Sequence, residues 1–257
     1  MFRVVIPARY ASTRLPGKPL RLIAGRPMIE HVHERARASG AAEVIVATDD
    51  ERIVDACAAF GADVVLTDPG HASGTDRLAE VARLRRYAAD DVVVNVQGDE
   101  PLLPPENVAE VAALLAATPA AAIATLATPI DDLAEYLDPN VVKVVRDAAG
   151  RALYFSRAPI PWQRDAAAAR VEDATRYALA LRHVGLYAYR AGALARLAAL
   201  PPSPLELAER LEQLRALENG LVIAVGIASA RPGPGVDTEA DLARVAVLMG
   251  PTGAHRP

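Results

Sequence analysis

Over its first hundred residues the chain alternates short β-branched runs with longer amphipathic stretches, and this rhythm restricts the fold more than any other feature. Phe2–Ile6, Glu43–Thr48, Asp63–Leu66 and Val92–Val96 read as strands, and Met28–Ser39, Asp50–Phe60 and Thr75–Ala88 carry helical spacing between and after them. Three of the four strand runs are almost wholly apolar, as expected of strands covered on both faces. The prediction is an α/β fold: a mostly parallel central sheet with helices on both faces, joined by right-handed crossovers. After Ile130 the rhythm loosens. Val141–Arg146, Ala152–Ser156 and His183–Arg190 read as strands around an Arg- and Ala-rich stretch, which predicts an inserted mixed α+β lid or subdomain near residues 130–200. A helix over Leu205–Leu217, a strand over Leu221–Ile227 and a helix over Thr238–Met249 follow. No Gly/Ser linker divides the chain, so residues 1–249 are expected to form one domain and 250–257 a disordered tail.

Several classes of protein are excluded early. Lys and Arg number 28 against 32 Asp and Glu, a net charge of −4, and no nucleic acid partner is expected of that balance. Hydrophobic residues at 52% and charged residues at 23% exclude a disordered or collagen-like chain. Val111–Ile130 carries no charge, but it contains Pro119 and Pro129 and is mostly Ala and Thr, so it reads as a helix end, a turn and a strand, and no membrane insertion is expected. A single cysteine, Cys57, and the lack of a cationic, apolar leader in Met1-Phe2-Arg3-Val4 lead us to expect a cytoplasmic protein.

Ligands of open parallel sheets bind beyond the carboxyl ends of the strands, where strand order reverses. The loops after the first, second and fourth strands are therefore the places to look. The first places Arg9, Arg14 and Lys18 within ten residues, among small residues that let a backbone approach a ligand. Such a loop suits a polyanion or is simply a solvated charged loop, and it is neither a Walker loop nor a dinucleotide fingerprint. The fourth strand runs into Gln97-Gly98-Asp99-Glu100-Pro101, and a carboxylate there is placed to hold Mg²⁺ near phosphates. Asp237, in Gly233-Pro234-Gly235-Val236-Asp237-Thr238, reads first as a cap for the final helix.

Weaker signals surround these. Thr48 and Asp49 suit a base or ribose pocket, or a helix cap. Ser73 and Thr75 read as caps, and Arg77, set against the helix dipole, points to an anionic ligand nearby. His71 reads as a surface loop residue and Trp162 as packing. Arg157, with His183 and Tyr187 on one strand face, suits a carboxylated polyhydroxyl ligand. Glu206, Glu209, Glu212 and Gln213 are expected mostly on the solvated face of the 205–217 helix.

Eight segments in order resemble the 3-deoxy-manno-octulosonate cytidylyltransferase family, the CMP-Kdo synthetases. They are the loop Pro7–Lys18, His71–Arg77, Gln97–Pro101, Tyr154–Arg157, Arg182–Tyr187, Ser203–Glu206, Leu211–Arg215 and Gly235–Thr238. The resemblance implies a nucleotide-diphospho-sugar-transferase-like variant of the Rossmann fold. It implies transfer of CMP from CTP to the anomeric hydroxyl of Kdo, with Arg9, Arg14 and Lys18 on the triphosphate. Ala8, Thr48, Asp49, Ser73, Arg77, Gln97 and Gly98 would line the nucleotide pocket, and Asp99 and Asp237 would bind Mg²⁺, which displaces the capping reading of Asp237. Arg157, His183, Tyr187, Glu212 and Gln213, with Gln97, would contact Kdo. A homodimer formed through Ala152–Trp162 is also implied. Sialic acid or 8-amino-Kdo are the alternative acids. A nucleotidylyltransferase acting on a sugar 1-phosphate would show a more glycine-rich first loop.

Overall fold

The computed structural model describes residues 1–12, 14–164 and 177–250. The first hundred residues follow the expected rhythm. β1 (Phe2–Ala8) leads through a 3-10 turn (Lys18–Leu20) and a small hairpin, β2 (Leu22–Ile23) with β3 (Arg26–Pro27), to α1 (Met28–Ala38). There follow β4 (Glu43–Thr48), α2 (Glu51–Ala59), β5 (Asp63–Leu66), α3 (Gly74–Leu84), β6 (Val92–Asn95), α4 (Pro105–Ala117) and β7 (Ile123–Pro129). The uncharged stretch from Val111 is thus the end of α4, a turn and β7.

The second half runs α5 (Leu133–Leu137), β8 (Lys143–Arg146), β9 (Ala152–Ser156), β10 (Leu181–Arg190) and α6 (Ala191–Ala198). It closes with α7 (Pro204–Glu209), α8 (Gln213–Glu218), β11 (Ile223–Ile227) and α9 (Glu239–Met249). The main sheet is ordered β11-β7-β10-β6-β1-β4-β5, with β8 and β9 added beside β10. β1 pairs in parallel with both β4 and β6, and β4 with β5, while β10 is antiparallel to β6 and β7. From β1 the chain steps outward to β4 and β5 and then returns to β6 on the other side of β1. Strand order therefore reverses between β1 and β6, and a crevice opens beyond their carboxyl ends.

Alternate residues of β1 serve opposite layers. Val4 and Ile6 pack with Ile29, Val32, Val108 and Val111 of α1 and α4, and Val5 packs with Leu78, Val81, Leu194 and Leu197 of α3 and α6. Each such side chain is fully buried and contributes about 1.5–3 kcal/mol relative to exposure.

Two expectations change. The inserted unit is smaller than 130–200, because β10 lies inside the central sheet between β6 and β7 and α6 packs against α3. The 205–217 helix is two helices: α7 ends at Glu209, Arg210 adopts a left-handed φ of 56°, and α8 begins at Gln213. A continuous helix would turn Glu206 and Arg215, nine residues apart, to opposite faces. The break brings them together, with Arg215 Nε donating to Glu206 Oε2 at 2.8 Å. Residues 251–257, in the expected tail, and 165–176, within the expected insertion, lie outside the described residues.

Candidate active site

At the β1–β6 crevice lies a cavity of about 370 Å³, walled by the first loop, Gln97–Asp99 and Asp237. The loop turns back at Gly17, whose φ of +66° favours glycine and whose N–H donates to the Tyr10 carbonyl at 3.2 Å. This turn aims Lys18 at the strand ends. Its ammonium donates to Asp99 Oδ2 at 2.6 Å, Asp237 Oδ1 at 2.9 Å and the Val236 carbonyl at 3.0 Å. Arg14 Nη2 adds a fourth contact, donating to Asp237 Oδ1 at 3.0 Å. Burial alone would lower the Lys18 pKa, but the charge and hydrogen bonds of Asp99 and Asp237 outweigh it and raise it above its usual value.

The chain's topology brings these two acids together. The Val236 N–H donates to the Asp99 carbonyl at 2.9 Å, tying the segment before α9 to the β6 loop. Thr238, not Asp237, caps α9, with its hydroxyl accepting from Asp241 N–H and Asp241 returning the bond in a capping box. Asp237 is released to face the cavity. At Gly98 a Cβ would stand 2.9 Å from the Pro7 carbonyl oxygen, so the two strand ends approach this closely only over glycine. The donor set fits Mg²⁺: two carboxylates converge where a cation already sits, and Mg²⁺ commonly takes one or two carboxylates and completes its shell with water and phosphate. Among the described residues no cluster of three or more His, Cys, Asp or Glu side chains offers a fuller cage.

Ala8, Arg9, Arg14, Lys18, Gln97, Gly98, Asp99 and Asp237 all line the cavity. Arg9 is steadied by a 2.8 Å bond from Nη2 to the His71 carbonyl, while His71 Nε2 stands 2.6 Å from Glu80 Oε2. Thr48, Asp49, Ser73 and Arg77 are not on that wall. Thr48 is fully buried and Ser73 is committed to capping α3. Arg77 is fully buried too, donating to Thr67 Oγ1 and, at 3.1 Å, to Asp49 Oδ2. The anionic ligand expected beside Arg77 is therefore replaced by a carboxylate of the same chain, Asp49, and the buried guanidinium does not reach the cavity.

The residues expected around an acid ligand stand on the neighbouring part of the sheet. Tyr187 is paired with Asn95 at the end of β6 and with Thr125 of β7. A register shift between Val184 and Tyr187 helps to bring the His183 and Tyr187 rings within 5.2 Å, and Phe155 meets His183 edge-on at 5.1 Å. Burial lowers the His183 pKa to about 3, so the ring is neutral. Thr125 Oγ1 stands 2.7 Å from the Leu186 carbonyl, 3.1 Å from the Val184 carbonyl and 3.0 Å from His183 Nε2, which ties the ring to β7.

Glu212 and Gln213 sit at the start of α8. Thr75 donates to Glu212 Oε2 at 2.7 Å, while Gln213 is buried. Glu206, Glu209 and Glu212 thus carry specific bonds instead of forming a solvated face. Two contributors, Lys143 and Glu100, are given no role by the sequence, and a third, Glu209, is read there only as part of a solvated face. Lys143 and Glu209 both hold the backbone at Arg157, and Glu100 has its carboxyl pushed up to about 7 by burial and by Asp99, against the pull of Arg182. Only Glu100 carried a signal, its place in the Gln97–Pro101 turn.

A family model described as cytidylyltransferase matches residues 3–223. The 3-deoxy-manno-octulosonate cytidylyltransferase of Thioalkalivibrio sulfidiphilus is 58% identical over 250 residues, which is 96% of this chain and 98% of its own. That of Marinobacter nauticus is 58% identical over 258 residues, covering 99% of both chains. A solved CMP:2-keto-3-deoxy-manno-octonic acid synthetase complexed with CTP superposes with a TM-score of 0.86 at 47% identity, over 97% of this chain and 98% of that one. A cytidylyltransferase from Leptospira borgpetersenii, at a TM-score of 0.59 and 15% identity over 95% of this chain and 84% of its own, shares the fold.

Proposed function

The chain belongs to the 3-deoxy-manno-octulosonate cytidylyltransferase family, and on that premise we propose that it transfers CMP from CTP to the anomeric hydroxyl of Kdo, releasing pyrophosphate and supplying activated Kdo for lipopolysaccharide. The observation that carries the reading is the convergence of Asp99, Asp237 and Lys18 at the carboxyl ends of β1 and β6. Arg9, Arg14 and Lys18 grip the triphosphate, with Lys18 and Arg14 exchanging their carboxylate partners for phosphate oxygens when CTP enters. Ala8, Gln97 and Gly98 hold the nucleotide from the strand ends. Thr48, Asp49, Ser73 and Arg77 support that pocket from behind.

Asp99 and Asp237 would hold Mg²⁺, and the ion would supply charge neutralisation at the phosphates and a lowered pKa for the attacking hydroxyl. The hydroxyl oxygen attacks the α-phosphorus in line, the bond from phosphorus to the bridging oxygen breaks, pyrophosphate leaves with that electron pair, and the hydroxyl proton passes to water. Positioning and charge do most of the work in such a transfer, and no side-chain base is assigned. Arg157 takes the sugar's carboxylate. His183, Tyr187, Glu212, Gln213 and Gln97 orient the remaining oxygens.

We place the enzyme in the cytoplasm as a homodimer. No helix among the described residues is long and apolar enough to cross a membrane. Pyrophosphate release is the direct test, measured with CTP and, in turn, Kdo, 8-amino-Kdo and sialic acid, before and after chelation of divalent metal. Release with Kdo that chelation stops and Mg²⁺ restores is the expected result. CTP binding without release for any of the three acids would overturn the proposal, and turnover of 8-amino-Kdo or sialic acid instead of Kdo would move it to that substrate.

A further inference from the structure

Lys143 lies on β8 with none of its surface exposed, and the Asp138 and Glu209 carboxylates act on it through their charge while its hydrogen bonds go elsewhere. Its three ammonium protons go to three backbone carbonyls: Asp138 at 2.8 Å, Val141 at 2.6 Å and Arg157 at 2.7 Å. A buried charge is costly to desolvate, so a buried lysine that spends all its donors on carbonyls fixes those carbonyls firmly. Asp138 and Val141 belong to the turn before β8, and Arg157 directly follows β9. The ammonium therefore fastens the turn to the end of the neighbouring strand.

Glu209, the last residue of α7, grips the same point from the other side. Its Oε2 accepts from the Arg157 N–H at 2.9 Å, its Oε1 from the Ser156 hydroxyl at 2.5 Å, and its backbone carbonyl from Arg157 Nε at 2.8 Å. The Pro139 carbonyl takes Arg157 Nη1 at 3.0 Å. Arg157 is thus held at its N–H, its carbonyl and two of its three side-chain nitrogens, leaving Nη2 without a hydrogen-bond partner among the described residues. An arginine meant only to stabilise this corner would have no need of so rigid a mount, whereas one that receives a carboxylate benefits from a guanidinium already locked in orientation.

We propose that Glu209 and Lys143 are positioning residues for acid-sugar binding, acting through Arg157. The inference rests on the proposed function, in which Arg157 meets the carboxylate of Kdo. It predicts a division of effects: affinity for the acid depends on the clamp, and affinity for CTP does not.

The test is steady-state kinetics of Glu209→Ala, Glu209→Gln, Arg157→Ala and the double variant Glu209→Ala/Arg157→Ala, with CTP and Kdo varied separately. Loss of hydrogen bonds to a charged group should make Glu209→Ala raise KM for Kdo about tenfold or more while KM for CTP stays within about twofold. Glu209→Gln, which keeps an acceptor, should recover part of the loss. In the Arg157→Ala background, removing Glu209 should add nothing further. Lys143→Met serves as a second probe through a different atom of Arg157, with thermal unfolding recorded alongside, and should show the same division.

Equal rises in the two KM values, additive effects in the double variant, or an unchanged KM for Kdo in Glu209→Ala would overturn the inference while leaving the proposed function standing. Absence of wild-type turnover with Kdo would overturn the function itself.

Discussion

Lys18 stands where the metal is proposed to sit, and this has a measurable consequence. Its ammonium satisfies Asp99 and Asp237 at once, so a divalent cation has to displace it, and triphosphate oxygens are the natural place for the displaced charge to go. Metal affinity should therefore be weak without nucleotide and rise when CTP is present. Lys18→Met should bind Mn²⁺ alone about tenfold tighter than the wild type, measured by calorimetry or electron paramagnetic resonance, and lose most of the gain that CTP brings. Asp99→Asn should keep the fold and lose turnover by about a thousandfold or more, since the cation would lose a charged ligand. Equal Mn²⁺ affinity in wild type and Lys18→Met would show that Lys18 does not compete for the site. The cations of the first loop and Asp99 could be read from sequence because each is an unusual residue at a strand end. Asp237 could not, on its residues alone, since an aspartate before a helix usually caps it, and only the structure shows Thr238 performing that task.

The elements around the site were unevenly legible for a related reason. β1, β4 and β6 declared themselves through apolar runs set by burial on both faces and their helices through spacing, whereas β5 at the sheet edge showed only its β-branched Val64 and Val65, which are half-buried. The α7–α8 break did not, since residues 205–217 satisfy a continuous helical pattern and the break answers to distant partners: Ser156, Arg157 and Thr75. The same non-local logic governs Gly98. Sequence marks it as a turn glycine, but what fixes it is the Pro7 carbonyl oxygen 2.9 Å from where a Cβ would lie, backbone that cannot swing aside. Gly98→Ala should push the β6 loop away from β1, costing about 1–3 kcal/mol of stability and weakening CTP binding, as followed by thermal unfolding and nucleotide titration. Wild-type values for both would mean that this approach is not needed for the site.

The molecule as a whole divides its work across one sheet. The parallel half, β6-β1-β4-β5, presents the triphosphate loop, and the strands beyond it, β10 with β8 and β9, carry the residues assigned to the acid, so the reversal of strand order at β1 and β6 is also where the two substrates would meet. This could be anticipated for the nucleotide side only, because β10 runs antiparallel within the main sheet although its sequence lies in the loosened stretch after Ile130. The β8–β9 ribbon and the segments flanking it leave large apolar side chains in the open: Leu153 is 61% exposed, Trp162 57% and Leu179 69%. Contiguous exposed apolar patches mark interaction sites, and on the proposal of a homodimer these are the side chains we assign to pairing of two copies through this ribbon. The native protein should sediment at twice 27.1 kDa, the mass of one chain. Leu153→Asp, which puts a charge into the proposed interface without touching a hydrogen bond of the site, should shift it to the mass of one chain at micromolar concentration. Because Arg157 lies at the end of the same strand, dissociation should also raise KM for Kdo more than KM for CTP. A variant that remains dimeric, or a wild type that is monomeric throughout, would place the pairing surface elsewhere or remove it, and sedimentation velocity distinguishes the two.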